Sequence, residues 1–387
     1  MKPSHILGLC YGGMVCVAIG VNLVPVYFTT FASVFGGLNE EQLGRIPALM
    51  FAGVVAGILL SGPLADRFGA RFFTVGGMAL AALGLILISA ATGYGMLLAA
   101  GLVSGLGAGI LDMVMSPIVS AVCPDRRAAA LNRLHAYFCI GGVGTVLVAA
   151  AGLHFGVSWR LVATGLAVIP LALLVGFAVA PLPPLVHPDH TREGLRLLVR
   201  RPRFLVALAV IALAGATEAG MSQWLPAYSE RVLGYGKTSS GAALVAFSLA
   251  MAVGRLLASR LQRLSPYAML LIPAALSVVL YLLGSLLPVP SLALASCILV
   301  GLACSVLWPT NLGVTADHFP RGGASMFALL AGFGNIGCLV MPWIVGFVAE
   351  HTSLRTGLLV GALAPVLLLL AGTAAWAADR RNARVSP

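Results

Sequence analysis

The sequence predicts an all-α integral membrane protein of twelve transmembrane helices, arranged as two pseudo-symmetric six-helix bundles. Three observations carry that prediction. Of 387 residues, 60% are apolar and only 9% charged, where soluble domains run near ~45–50% and ~25%. Apolar runs of membrane-spanning length recur along the whole chain. A weak internal repeat relates its two halves.

The first observation fixes the solvent. Twelve Asp plus Glu and 23 Lys plus Arg are too few to clothe a soluble domain of this length, so the missing polar surface implies a surface that faces lipid. The second fixes the element type and count. A crossing takes roughly 17–25 apolar residues, and crossings are expected near residues 6–33, 43–64, 72–92, 96–122, 129–154, 158–180, 204–229, 238–262, 267–287, 291–315, 323–349 and 355–377. Backbone groups in hydrocarbon must bond internally, which leaves helices or a closed barrel, and runs this long without period-2 alternation are helices. Met1-Lys2-Pro3-Ser4-His5 leads straight into an apolar run too long for a signal-peptide core, so that run reads as crossing 1.

Orientation follows from the cations. With the N-terminus inside, eighteen of the 23 Lys and Arg fall on the inner side, and Arg45, Arg160, Arg231, Lys237 and Arg355 fall outside. The positive-inside bias therefore expects both termini in the cytoplasm, with the chain in the cell inner membrane. The net charge of +11 is a topology signal, and its spread over every inner loop argues against nucleic-acid binding. One long polar interruption divides the chain into an N-terminal bundle 1–180, a cytoplasmic linker 181–203 and a C-terminal bundle with cytoplasmic tail 204–387. Residues Arg192 to Arg201 suit either a short amphipathic helix on the inner leaflet or a solvated tether.

The repeat pairs Asn22-Leu-Val-Pro25-Val-Tyr27 with Gln223-Trp-Leu-Pro226-Ala-Tyr228, and Gly105-Leu-Gly-Ala-Gly-Ile-Leu-Asp112 with Gly301-Leu-Ala-Cys-Ser-Val-Leu-Trp308. Matching helices in matching order imply a solute site between the halves at mid-depth. The seven cysteines lack C-x-x-C spacing and mostly sit in apolar runs, so they read as small buried hydrophobes. His187-Pro188-Asp189-His190 reads as a solvated loop, so no metal or other cofactor is expected.

The turn between crossings 2 and 3 reads Gly62-Pro-Leu64-Ala-Asp66-Arg67-Phe-Gly69-Ala70-Arg71. It resembles the major facilitator superfamily signature G-x-L-x-D-R-x-G-R-R/K and departs from it at Ala70. The resemblance implies the major facilitator fold, transport by alternating access, and a conformational lock built from Gly62, Asp66, Arg67, Gly69 and Arg71, in which the aspartate helps hold the outward-open state. Gly69 is expected to permit the reversal of direction. The segment Gly254-Arg255-Leu-Leu-Ala-Ser-Arg260 resembles a degenerate second copy without the aspartate. Further strings resemble the fucose permease and sodium-glucose transporter branch: Leu131-Asn-Arg-Leu-His135-Ala-Tyr-Phe, Glu218-Ala-Gly-Met-Ser-Gln-Trp224-Leu-Pro226, Trp308-Pro309-Thr310 and Pro342-Trp343-Ile-Val-Gly346. Fucose permease is similar in carrying an acid in helix 4, but it also has one in helix 1, where crossing 1 here offers Asn22 and no acid.

Only Asp112 and Glu218 are acids deep inside crossings. An ionised carboxylate at mid-depth costs at least ~2.5–3.5 kcal/mol, so each is expected to face water, carry a proton or have a partner. Both are candidates for binding a coupling cation or a solute hydroxyl. Asn22, Gln223, Asn311 and Asn335 are amides suited to polyol recognition and equally to helix packing. Trp224 and Trp308 could stack on a sugar face or pack. His135 could relay protons or bond a neighbouring carbonyl. Pro25, Pro117, Pro226, Pro309 and Pro342 free carbonyls and permit bends. The sequence contains no G-x-S-x-G, H-E-x-x-H or Walker loop, so neither an enzyme nor an ATP-driven pump is expected. The expectation is a monomeric proton- or sodium-coupled symporter of a sugar or similar small polar solute. A proton-coupled efflux carrier of amphipathic compounds and a uniporter stand as alternatives.

Overall fold

The computed structural model describes residues 3–123, 127–183, 195–258, 265–319 and 323–385. Among them are twelve helices long and apolar enough to cross a membrane. Crossing 1 is α1 (Pro3–Val26) with α2 (Phe28–Val34), and crossings 2 and 3 are the two limbs of α3 (Glu40–Ala90). Crossings 4, 5 and 6 are α4 (Tyr94–Val122), α5 (Arg127–His154) and α6 (Trp159–Val179). After the single turn α7 (Leu195–Leu198), crossing 7 is α8 (Pro202–Ser222) with α9 (Leu225–Arg231), crossing 8 is α10 (Lys237–Ala258) and crossing 9 is α11 (Pro266–Leu286). Crossing 10 is α12 (Pro290–Cys304) with α13 (Leu307–His318), crossing 11 is α14 (Gly323–His351), and crossing 12 is α15 (Leu354–Val360) with α16 (Leu363–Val385). The four residues of α7 are all the helix described in the 192–201 stretch, of which residues 192–194, like His187 and His190, lie outside the described residues.

These helices are apolar on both faces. On α6 the inward face is Trp159, Val162, Ala163, Leu166, Ala167, Pro170 and Phe177, while Leu161, Val168, Val175 and Val179 are 61–72% exposed. A helix in water would present charge on that second face, so its solvent is hydrocarbon.

Backbone contacts divide the chain into two compact units, Met1–Pro188 with Tyr235–Val245, and Asp189–Gly234 with Ala246–Pro387. The N-terminal part of α10 thus groups with the first six crossings. In lipid, helices associate by close van der Waals approach, which small residues permit. In the first unit Gly57 lies against the Leu106 carbonyl and Gly105 against Met50, leaving no room for a Cβ at either. In the second unit Gly254 lies against the Leu302 carbonyl and Gly301 against Phe247 in the same way. Crossing 2 therefore meets crossing 4 as crossing 8 meets crossing 10. The repeat seen in the sequence of crossings 4 and 10 is a repeat of packing.

That correspondence corrects one alignment. Gly254 is the counterpart of Gly57, inside the helix, and not of Gly62 at the turn. Arg255 accordingly belongs within crossing 8, where Ile58 stands in crossing 2. The corresponding tyrosines also brace their units: Tyr27 donates to Ala149 O at 3.2 Å and Tyr228 to Gly284 O at 2.8 Å. Both rings are fully buried.

The prolines act unequally. Helix breaks fall at Tyr27, at Gln223–Trp224 and at Ser305–Val306, beside Pro25, Pro226 and Pro309. Pro117 and Pro342 sit inside unbroken α4 and α14.

Candidate functional site

In the second unit the candidate residues begin with Glu218 on α8. Its carboxyl is half-buried and interacts electrostatically with the guanidinium of Arg255 on α10. Glu218 also acts electrostatically on two thiols, Cys304 of α12 and Cys338 of α14. The Cys338 thiol donates to Gly215 O at 3.4 Å, one turn before Glu218. Tyr281 of α11 donates to Thr217 O at 2.7 Å, on the adjacent residue.

Arg255 is tied to crossing 10. Pro309 has no N–H, so the carbonyl of Ser305, four residues earlier, loses the partner a helix would give it. Arg255 Nε donates to that carbonyl at 3.3 Å, and Nη2 lies 3.6 Å from Met251 Sδ. The freed carbonyl and the cation thereby satisfy each other at a helix break. Sequence reasoning missed Arg255 because it was counted with the inner-loop cations. The glycine pairing of Gly57 and Gly254 is the signal that locates it.

The sequence-predicted neighbours divide. Gln223 sits at the break of crossing 7, is 2% exposed, and its Oε1 has no hydrogen-bond partner among the described residues. Trp224 is fully buried and its indole N–H donates to Pro342 O at 2.9 Å, which commits it to packing crossing 7 on crossing 11. Trp308 remains half-buried, and its ring lies so close to Gly334 that a Cβ there would overlap it. Asn311 donates to Ala207 O at 2.9 Å and joins α13 to α8. Asn335 is half-buried and donates within its own helix, to Ala331 O at 2.9 Å.

In the first unit Asp112 on α4 is half-buried, and His135 on α5 acts electrostatically on it. His135 itself is exposed. Asn22 donates to Ala18 O at 2.9 Å in its own helix. Its amide faces Gly142 of α5, where a Cβ would stand 3.3 Å from Nδ2.

At the turn of α3, Gly69 has φ 81° and ψ 162°, the one non-helical residue inside that helix. This is a region essentially reserved for glycine, and the space around Gly69 is open, so conformation alone demands the glycine. Arg71 donates to Ala180 O at 2.8 Å, tying crossing 3 to the end of crossing 6. Gly62 and the side chains of Asp66 and Arg67 lie outside what the structure describes. Among the described residues no group of three His, Cys, Asp or Glu is placed to hold a metal ion, and the seven cysteines are free thiols.

Two bundles of six crossings, with half-buried acids and helices broken beside prolines, define a polytopic membrane carrier. The chain belongs to the Major Facilitator Superfamily, whose family model matches residues 10–287 and 232–387. It is a secondary transporter that works by alternating access, a transport class without catalysis. It is 30% identical over 221 residues to Plastidic glucose transporter 4 of Arabidopsis thaliana, covering 54% of this chain and 39% of that protein. It is 24% identical over 347 residues to an uncharacterized MFS-type transporter of Yersinia pestis, covering 89% and 88%. Over 195 residues it is 30% identical to Multidrug resistance protein MdtL of Escherichia coli, covering 49% of each. The chain thus spans less than half the length of two of these relatives and most of the third.

Among solved structures, a bacterial homolog of the lysosomal transporter Spinster, inward-facing and unoccupied, superposes with TM-score 0.79 at 16% identity, covering 96% of each chain. A D-xylose-proton symporter gives 0.76 at 15%, covering 97% and 98%. FucP in its outward conformation gives 0.68 at 17%, covering 95% and 98%. At these identities the likeness is one of fold, and it does not single out the fucose permease branch.

Proposed function

We propose that this carrier is a proton- or sodium-coupled symporter of a sugar or similar small polar solute, seated in the cell inner membrane as a monomer with both termini cytoplasmic. The observation that carries the reading is Glu218, a carboxyl inside a crossing on which the Arg255 guanidinium acts electrostatically. Such a group has two states in the membrane, ionised in the field of a cation, or protonated and uncharged. A carboxyl with two accessible states can load and release one proton in each cycle. Asp112, with the titratable His135 as its neighbour, assists from the first unit. Gln223 offers a spare acceptor for a solute hydroxyl. Asn22, Asn335 and Trp308 are the further contacts proposed. Asp66 at the turn of α3 serves as the lock, and Asp66→Asn slows turnover without loss of insertion.

Purified protein in proteoliposomes tests this reading with labelled hexoses under an imposed pH or sodium gradient. Glu218→Gln mimics the permanently protonated form, so it retains solute exchange and loses accumulation. Accumulation at the parent level in that variant removes Glu218 from proton coupling. The likeness to MdtL favours a second reading, proton-driven efflux of amphipathic compounds. Extrusion of a lipophilic cation dye, with no gradient-driven hexose entry, would decide for it.

A further inference from the structure

We infer that Leu198, from the segment that joins the two bundles, is a positioning residue for the inner half of crossing 10 and so for Trp308. The inference rests on the reading of Trp308 as a solute contact. Crossing 10 is broken at Ser305–Val306, so α13 is a half-helix of 12 residues that α12 does not hold in line. A helix of that length is marginal by itself, and its place is set by what packs on it.

Three contacts within the second unit set that place. Trp308, the second residue of α13, lies so close to Gly334 of α14 that no Cβ fits between them. One turn further, Asn311 Nδ2 donates to Ala207 O of α8 at 2.9 Å. At the inner end Phe319, the C-cap of α13, meets Phe204 of α8 edge-on with ring centres 5.5 Å apart. This ring pair shares one apolar cluster with Leu198 and Met326, and Trp308 and Leu312 of α13 pack against the same cluster.

Leu198 is the linker's plug in that cluster. It is fully buried, while its chain neighbours Leu197 and Val199 are 49% and 40% exposed. Arg201 N donates to Leu198 O at 2.9 Å, and this turn hands the chain directly to α8. The inner half of crossing 4 needs no such plug, because α4 runs unbroken from Tyr94 to Val122 past Pro117. In α13 one short rigid rod carries Trp308 near one end and Phe319 at the other, so release of the inner end displaces the indole.

Hydrogen–deuterium exchange of the full-length chain in lipid nanodiscs tests the anchor, with the parent compared with Leu198→Ala, Leu198→Val, Leu198→Met and Leu197→Ala. Leu198→Ala leaves a cavity under α13, and is expected to speed exchange across residues 307–318 roughly tenfold or more while residues 113–122 of α4 keep the parent rate. Leu198→Val is expected to fall between the two, and Leu198→Met, close to leucine in volume, to restore the parent rate. Leu197→Ala alters the exposed side of the same turn and is expected to change nothing. Parent-like exchange across 307–318 in Leu198→Ala, or an equal increase from Leu197→Ala, would overturn the anchor.

Hexose exchange without a gradient, in proteoliposomes, tests the link to Trp308. Leu198→Ala is expected to raise the half-saturating hexose concentration roughly fivefold or more, the scale of a typical coupling between sites, with the maximal rate near the parent's. Faster deuterium exchange in α13 with an unchanged half-saturation would overturn the positioning of Trp308. Absence of hexose exchange in the parent itself removes the sugar reading, and deuterium exchange across 307–318 then judges Leu198 by itself.

Discussion

Crossings 2 and 4 approach each other through Gly57 and Gly105, against the Leu106 and Met50 carbonyls, and crossings 8 and 10 through Gly254 and Gly301, against the Leu302 and Phe247 carbonyls. The residue after the glycine is nevertheless Ile58 in one unit, 2% exposed, and Arg255 in the other. Asp112 has Trp308 as its counterpart in the repeat, and Glu218 has Val17. Close approach is duplicated between the halves while charge is not. Glycine contacts are dictated by helix association, which both bundles need equally. An intramembrane charge is costly and persists where a function retains it. The two acids also differ in company, since the imidazole of His135 acts on Asp112 and the guanidinium of Arg255, a permanent cation, acts on Glu218. They are therefore not interchangeable.

The comparison can be broken at several points. Ile58→Arg copies the second unit's cation into the first without its partners, at a cost of about 2.5–3.5 kcal/mol. The expected result is a severe loss of inserted, monodisperse protein, and normal yield with normal melting would show that the first unit holds a hidden partner for a cation. Asp112→Asn and Glu218→Gln compare the acids directly: Glu218→Gln abolishes gradient-driven accumulation, whereas Asp112→Asn lowers it and leaves it measurable. The reverse order, read in the same uptake assay, would transfer the coupling role to the first unit.

Gly69→Ala tests the turn inside α3, and is expected to cost about 1–3 kcal/mol from backbone strain. Thermal unfolding in detergent would register it as a lowered Tm, and an unchanged Tm would mean that the turn tolerates another conformation. Tyr27→Phe and Tyr228→Phe each remove one hydrogen bond to a carbonyl, worth about 0.5–1.5 kcal/mol. Equal shifts are expected if the two braces are equivalent, and a much larger shift for one would single out that unit as the more rigid.

The crossings were legible because each is an apolar run of membrane length, and the bilayer imposes that length whatever the tertiary fold. Asp112 and Glu218 were legible because acids are absent from every other part of those runs. Their partners were not, since His135 and Arg255 lie on other helices and only packing brings them near. Arg255 was obscured by the positive-inside argument itself, which assigns a cation near a helix end to the loop. Trp224 and Trp308 show the same limit. Equivalent as residue types, one is sealed against Pro342 O and the other remains half-buried, and nothing local in the chain distinguishes them. Pro309 told where a carbonyl would be released, and the structure supplied the guanidinium that receives it.

The turn in α3 has a further consequence, for the kinds of change this gene can accept. Crossings 2 and 3 are one helix interrupted at a single glycine, with no slack loop between them. Beyond it, Gly77 rests on Leu111 and Gly84 on Ser104, so the small-residue row of crossing 3 is registered to crossing 4. A codon inserted between Gly69 and Gly77 would turn everything after it by about 100°, carrying both glycines off crossing 4 and driving side chains into its backbone. Insertions and deletions should therefore be absent from this stretch in functional descendants of the chain, even where single substitutions accumulate freely.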